Sequence, residues 1–362
     1  MEKLQGQRNF EDLKEDVINK GLCARCGGCV SFCSANRLNA IGMPYGLPEF
    51  INKENCLECG ICYMICPMTD ELQDLLEKKF GSEEGIGKIL DIVSARTTNE
   101  EIKKYCSDGG VVTSLLHFLL DNYIIDGAVV VKQIKPGVHM PILASSFAEI
   151  LESAGTSLTT LPTVNELKNY TSYTSVLPEL REIAGNFIEK VAVVGTPCQI
   201  KTIRKMQEVH VLPSGITRFT IGLFCIENFT FNPTNITKFE DIIGGRVADI
   251  RKVNIKDEMT IIFKDGDVKN IPLEKLESVA RESCLHCNLP FSNIYSDISA
   301  GGLASPDGYT TVVLRTEQGE RLFKEAVEDG YIEINPNWEK KKAIKKIEEY
   351  TKRKRARISK RF

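Results

Sequence analysis

Thirteen cysteines dominate the chemistry open to these 362 residues, and eight of them fall into two copies of one spacing. Cys23, Cys26, Cys29 and Cys33 follow C-x2-C-x2-C-x3-C in CARCGGCVSFCS, and Cys56, Cys59, Cys62 and Cys66 repeat it in CLECGICYMICP. This spacing binds a pair of [4Fe-4S] clusters: three close thiolates hold three irons of one cube, and the fourth crosses to the other. Cys23, Cys26, Cys29 and Cys66 are thus expected on one cluster, and Cys56, Cys59, Cys62 and Cys33 on the second. Zinc knuckles are the competing reading, but zinc sites use two cysteine pairs separated by a longer spacer. Gly27, Gly28 and Gly60 let the backbone curl so that amide N–H groups face the sulfurs. The second run ends in Pro67, whose fixed φ turns the chain away, whereas the first ends in Ser34, a departure that leaves the ligands intact.

Four further cysteines are spread over the rest of the chain. VAVV predicts a strand ending at Gly195, Pro197 suits a first helical position, and Cys198 then sits at a helix N-terminus, where the dipole lowers a thiol pKa. A catalytic thiolate, a metal ligand and a buried core cysteine compete there. With four histidines and no paired Cys–His pattern, the metal ligand is favoured. Cys225 follows another strand, and Cys284 and Cys287 form a C-x2-C pair, so Cys198, Cys225, Cys284 and Cys287 suffice for one more [4Fe-4S] cube or a zinc. Cys106 is left over, as a core cysteine or a substitute for one of the four.

These thiols need a compartment and a scaffold. MEKLQGQRNFEDLKED has no secretory apolar core. The longest apolar stretch, Val111 to Val131, is broken by His117, Asp121, Asn122 and Asp126, which a bilayer span does not tolerate. A cytoplasmic location is expected, with any approach to the inner membrane face made through partner subunits. Thiols in such reducing surroundings serve metal or redox chemistry rather than disulfides. The chain reads as an N-terminal helix (1–20), an α+β bacterial-type 2[4Fe-4S] ferredoxin domain (21–70) with a hairpin in GMPYGLPEFINKE, a linker (71–89), an α/β body (90–335) and a basic tail (336–362).

Within the body, YCSDGGVVTSLLHFLLDNYIIDGAVVVK predicts a helix capped by Ser107 or Asp108, then an Asp126-Gly127 turn into a strand. A helix opening on Gly109-Gly110 offers free N–H groups to a pyrophosphate; the alternative is a capped helix whose glycines serve packing. No G-x-G-x-x-G follows a strand, so the usual NAD fingerprint is missing. The body therefore handles another two-electron reagent, or a flavin bound in a different way. Residues 339–362 hold twelve Lys/Arg and three Glu, a balance of +9 in a chain of net charge −3, which leaves −12 for the rest. This tail reads as a helix, solvated or docked on an acidic partner subunit. Nothing else forms a basic stripe with interleaved aromatics, so nucleic acid is not indicated.

CSDGGVVTSLL, SAGTSL, VAVVGTPCQI, GLFCIENF, the C-x2-C pair and SDISAGG before GYTTVVLRTEQGE occur in that order. Together they resemble the coenzyme F420 hydrogenase/dehydrogenase β-subunit family over residues 90–335, and the N-terminal domain resembles that of its longer members. The layout is nearest to an F420H2 dehydrogenase input subunit, since the chain stops after the flavin domain. The β-subunit of an F420-dependent formate dehydrogenase or hydrogenase is the alternative.

The resemblance implies an α/β flavin-binding body. FAD contacts fall on Ser107, Asp108, Gly109, Gly110, Thr113, Gly195, Thr196, Gly301 and Gly302, with a third [4Fe-4S] cluster beside the flavin and coenzyme F420 as substrate. Redox partner subunits or a ferredoxin, within a soluble or membrane-bound oxidoreductase complex, are the implied partners. Hydride exchange between F420H2 and FAD then precedes single-electron relay, because a deazaflavin releases its electrons as one hydride and a cluster accepts one at a time. Orientation and electrostatics carry such a step, and no catalytic side chain is named. Two departures stand out: Ser157-Leu158 where a basic residue and a tyrosine are usual, and Asn288-Leu289-Pro290 where an acidic or aromatic residue is. A relative using another hydride carrier, or a polyferredoxin-like relay whose body only docks partners, is the remaining alternative.

Overall fold

The computed structural model describes residues 8–135, 138–156, 161–169, 188–230 and 232–359. Its N-terminal lobe opens with α1 (Phe10–Leu13), capped by Asn9 and continued by a π-helical turn, Lys14–Ile18. Helices α2 (Gly28–Ala35) and α3 (Ile61–Met64) each start behind a left-handed glycine, Gly27 at φ 82° and Gly60 at φ 73°. Between them β1 (Ile41–Gly42) and β2 (Glu49–Phe50) pair antiparallel, in agreement with the expected hairpin. Helix α4 (Gln73–Phe80) occupies the segment read as a linker and buries Leu76 completely.

The body begins with β3 (Asp91–Thr97), α5 (Glu100–Tyr105), α6 (Val111–Asp121), β4 (Gly127–Lys135), β5 (Val138–Ala144) and α7 (Phe147–Glu152). It continues with β6 (Val191–Gly195), α8 (Pro197–Glu208), β7 (Thr217–Leu223) and α9 (Pro233–Ile243). A three-stranded antiparallel sheet follows, from β8 (Ile250–Ile255), β9 (Glu258–Phe263) and β10 (Val268–Pro272), then the short helices α10 (Leu273–Leu276) and α11 (Glu282–Leu285). The chain re-enters the main sheet with β11 (Ile298–Gly301), β12 (Thr310–Leu314), α12 (Glu317–Glu328) and β13 (Ile332–Ile334), and α13 (Lys340–Ser359) comes last.

The main sheet has the order β13-β3-β12-β11-β7-β6-β4-β5. Strands β11, β7, β6 and β4 pair parallel. Strand β12 runs against β11, and β3 against β12, so β3 points with the parallel group. Apolar runs such as Val191–Val193, buried on both faces, suit this central position. Five strands thus bring their carboxyl ends to one edge, where open α/β sheets take ligands.

Lobe and body share a core: Phe10, Val30 and Ile65 cluster with Ile200, Ile203 and Tyr295. Where α2 meets α8, a Cβ on Gly28 would lie 2.2 Å from Thr202 Cγ2, so only glycine permits this approach. Helix α13 is not a solvated tail. It buries Ile347 and Lys354, and the Tyr350 hydroxyl donates to Asp257 Oδ1 at 2.8 Å. The density of charge in the tail conceals this stripe of inward residues. Among the described residues no helix is long and apolar enough to cross a membrane.

Candidate functional site

Three cavities are each lined by four cysteines. Cys23, Cys26, Cys29 and Cys66 line the first, beside Thr202. Cys33, Cys56, Cys59 and Cys62 line the second, beside Glu58. Cys198, Cys225, Cys284 and Cys287 line the third, which sits at the carboxyl edge, after β6 and β7 and around α11. Cys66 has thus crossed to the first run and Cys33 to the second. The sulfurs surround space instead of meeting at a point: among the described residues no group of three or more His, Cys, Asp or Glu could hold one metal ion. Backbone N–H groups point at several sulfurs, Arg25 at Cys23 (3.4 Å), Ala40 at Cys33 (3.2 Å) and Asn228 at Cys284 (3.4 Å). Four soft donors around a cavity, with N–H groups aimed at them, fit a [4Fe-4S] cube.

Burial pushes Cys66 up to about 12 and Cys198 and Cys284 up to about 11, and neighbouring thiols add to the shift. The helix dipole was expected to lower Cys198; burial wins instead, and Cys26 adds to it. A free catalytic thiolate is therefore disfavoured at Cys198, while a set of crowded, buried sulfurs needs a cation to ionise. Cys106 stands apart. Its Sγ donates to Asp108 O at 3.1 Å and packs under Gly110.

The first and third cavities nearly touch. Thr202 Oγ1 lies 3.5 Å from Cys26 Sγ and donates to Cys198 O at 3.0 Å. Ala24 and Arg25 line both cavities, and Arg281 Nη1 donates to Ala24 O at 2.7 Å. The second cavity lies toward the outside of the lobe, where Leu57 is 63% exposed. A line of three four-thiol sites thus runs from the sheet edge to the surface. Two buried lysines flank it. Lys205 Nζ donates to Cys66 O (2.6 Å) and Thr69 O (2.8 Å), and Lys354 Nζ to Cys225 O (3.1 Å). Burial, then the neighbouring Lys201 charge, pulls the Lys205 ammonium down to about 7.

At the same edge, Ser107 to Gly110 precede α6, but neither Ser107 nor Asp108 caps it. The cap position is Gly110 in a left-handed conformation (φ 70°) with no side-chain cap bond. The Ser107 hydroxyl is occupied elsewhere, donating to Val253 O at 3.1 Å and meeting Thr156 Oγ1 at 2.7 Å. Gly109 donates its N–H to Thr310 Oγ1 (3.0 Å), and a Cβ there would lie 2.5 Å from Ala95 O. Close packing thus accounts for that glycine. The donors left for a pyrophosphate are the first-turn N–H groups of α6, up to Thr113, which have no side-chain cap and fit such an anion.

A Cβ on Gly302 would lie 2.4 Å from Asp108 Oδ2, so the segment between α5 and α6 touches the loop after β11. Burial raises the Asp108 carboxyl, opposed by Lys256, 3.8 Å away. A Cβ on Gly301 would meet Phe224 at 2.4 Å, and Phe224 adjoins Cys225. Gly195 and Thr196 lie instead where β6 meets the third cavity: Thr196 lines it, and its Oγ1 is 3.3 Å from Cys198 Sγ. The nine residues therefore split, seven around Asp108 and Gly302 and two on the third cavity. Ser157-Leu158 lie outside the described residues.

Sequence reasoning missed Thr202, Lys205, Arg281 and Lys354. Lys201 and Lys205 stand i, i+4 on the face of α8 that carries Ile200 and Ile203, a signal open to detection. Lys354 is lost in the run of tail charges.

Residues 188–340 match the family of C-terminal domains of the coenzyme F420 hydrogenase/dehydrogenase beta subunit, and residues 92–168 match the family of its N-terminal domains. Residues 15–67 match a 4Fe-4S dicluster domain. The chain is 34% identical to the coenzyme F420 hydrogenase subunit beta of Methanococcus voltae, over 68% of this chain and 84% of that protein. It is 26% identical to an F(420)H(2) dehydrogenase subunit of Methanosarcina mazei, over 85% of this chain and 83% of that protein. A chain of the F420-reducing [NiFe] hydrogenase complex from Methanosarcina barkeri superposes with a TM-score of 0.65 at 31% identity, covering 76% of this chain and 91% of that one.

Proposed function

The chain belongs to the coenzyme F420 hydrogenase/dehydrogenase β-subunit family, and on that premise we propose that it oxidises reduced coenzyme F420 through FAD and relays the electrons to a partner subunit or ferredoxin. The observation that carries this reading is the row of three four-cysteine cavities leading from the sheet edge to the outside of the lobe. When bound, FAD takes up a hydride and gives electrons one at a time to [4Fe-4S] clusters.

The chain's own residues do the positioning. Cys198, Cys225, Cys284 and Cys287 hold the inner cluster, Cys23, Cys26, Cys29 and Cys66 the middle one, and Cys33, Cys56, Cys59 and Cys62 the outer one. The first turn of α6 binds the pyrophosphate, on a loop that Ser107 ties to Val253. Gly302 lets the Asp108 loop close, and Phe224 stands between that loop and the inner thiols. Thr202 and Arg281 fix the separation of inner and middle sites. The same geometry run in reverse reduces F420 with electrons entering through the lobe, a second reading favoured by the likeness to a chain of an F420-reducing hydrogenase complex.

The test is anaerobic mixing of the purified holoprotein with F420H2. Bleaching of a bound flavin, with NADH and NADPH inert, is the expected result. A flavin bleached only by NADH or NADPH overturns the F420 assignment, and failure to retain FAD after reconstitution overturns the flavin.

A further inference from the structure

Burying an ammonium without an anion is strongly unfavourable, so each buried lysine demands an explanation. Among the described residues three are buried: Lys201, Lys205 and Lys354. Lys201 is paired, with its Nζ 2.9 Å from Glu83 Oε1. Lys205 and Lys354 have no ion pair among the described residues.

Both instead end on the carbonyl oxygen of a cysteine from a four-thiol cavity. Lys205 reaches Cys66 O at 2.6 Å, Thr69 O at 2.8 Å and Thr69 Oγ1 at 3.4 Å. The Thr69 hydroxyl already donates to Tyr63 O and Cys66 O, so it accepts from the lysine. Three acceptors match the three N–H bonds of an ammonium. Lys354 comes from the far end of the chain, on α13, and reaches Cys225 O at 3.1 Å. A cube with four thiolate ligands is an anion, and the described walls of these two cavities hold no carboxylate. The outer cavity is built the other way: its described wall holds Glu58 and no cation, and the lysine that acts on Cys56 from nearby, Lys53, is exposed and paired with Glu11.

We propose that Lys205 and Lys354 are counter-charges for the middle and inner clusters, holding both at higher reduction potential than the outer cluster of Cys33, Cys56, Cys59 and Cys62. Reduction adds negative charge to a cluster, so a buried cation bonded to the backbone of one of its ligands favours the reduced form. The relay then has an electrostatic step between its buried and exposed ends, set by two positioning residues that touch no substrate. This inference rests on the cluster reading above.

The experiment is a dye-mediated redox titration of anaerobically purified holoprotein, followed by electron paramagnetic resonance, with iron and sulfide counted per chain. The variants are Lys354→Met, Lys205→Met and their Arg counterparts. Lys354→Met is expected to shift the reduced-to-oxidised ratio of one cluster at least tenfold toward oxidised at fixed solution potential, about 59 mV for a one-electron couple. Lys205→Met is expected to shift a different cluster, and both Arg variants to titrate as wild type. Unchanged midpoints in Met variants with full iron content overturn the proposal. Should a Met variant lose its cluster, the Arg variant must restore both iron and potential, and failure to do so also overturns it. Wild-type protein without clusters sinks the cluster reading itself, a result distinct from either.

Discussion

The lobe and the body build the same object, four sulfurs around a cavity, by opposite means. In the lobe each set comes from one tight run plus a single cysteine borrowed across the hairpin, so the ligands are local and the fold is shaped around them. In the body the set is gathered from the first turn of α8, the loop after β7, and α11 with the residues just past it, positions that only the eight-stranded sheet and its three-stranded companion bring together. A local site is a condition of its own fold, whereas a gathered site is a product of a fold that stands by itself.

Anaerobic chelation of iron is the harshest way to break this contrast. The lobe, whose core is largely cysteine-flanked residues around its two cavities, is expected to lose structure and become cleavable within residues 21–70, while the body resists. Limited proteolysis with mass mapping checks it, and equal protection of both regions removes the distinction. Next in size, Ile347→Ala on α13 is expected to destabilise the body by about 2–5 kcal/mol, against under about 0.5 kcal/mol for Ile334→Ala, since Ile347 is fully buried and Ile334 is 43% exposed. Denaturant unfolding measures both.

A sharper cut separates the two kinds of site by iron content. Cys284→Ser is expected to remove about a third of the iron while the lobe's reduced-cluster spectrum persists; unchanged iron means the third site is misassigned. The seam between the regions is tested by Gly28→Ala, whose new methyl group must displace Thr202 at 2.2 Å. About 1–3 kcal/mol is expected, read as a lower midpoint in a thermal melt. The smallest effect is on pH. In protein stripped of iron, Cys198 and Cys284 keep their protons until about 11, whereas the unfolded chain releases them above about 8.5. Their contribution is therefore full below that pH and is lost as pH rises through 11. Loaded protein, its sulfurs ligated, is expected to lack this decline.

How much is legible follows the same division. The two lobe sites can be read because their ligands sit two or three residues apart, with Gly27 and Gly60 marking the turns. Of the body's set, Cys284 and Cys287 are marked by their C-x2-C spacing, whereas Cys198 and Cys225 are identifiable only through their places after strands. The start of α6 misleads because Ser107 and Asp108 have good capping side chains, yet tertiary partners claim them, Val253 O the first and the Lys256 ammonium the second. Nothing local in KKAIKKIEEYTKRKRARIS says that Ile347, Tyr350 and Lys354 turn inward, because a dense charge run reads as solvated until a surface is there to receive it.

The long reach of α13 also sets an order of manufacture. A ribosome releases all eight lobe sulfurs within the first 66 residues, so the outer and middle sites have their ligands long before the sheet is finished. The inner site waits for residue 287 to supply its last sulfur and for residue 354 to close over it. On the three-cluster reading, the lobe's sulfurs are ready for iron early, while the inner set is complete only once α13 has emerged.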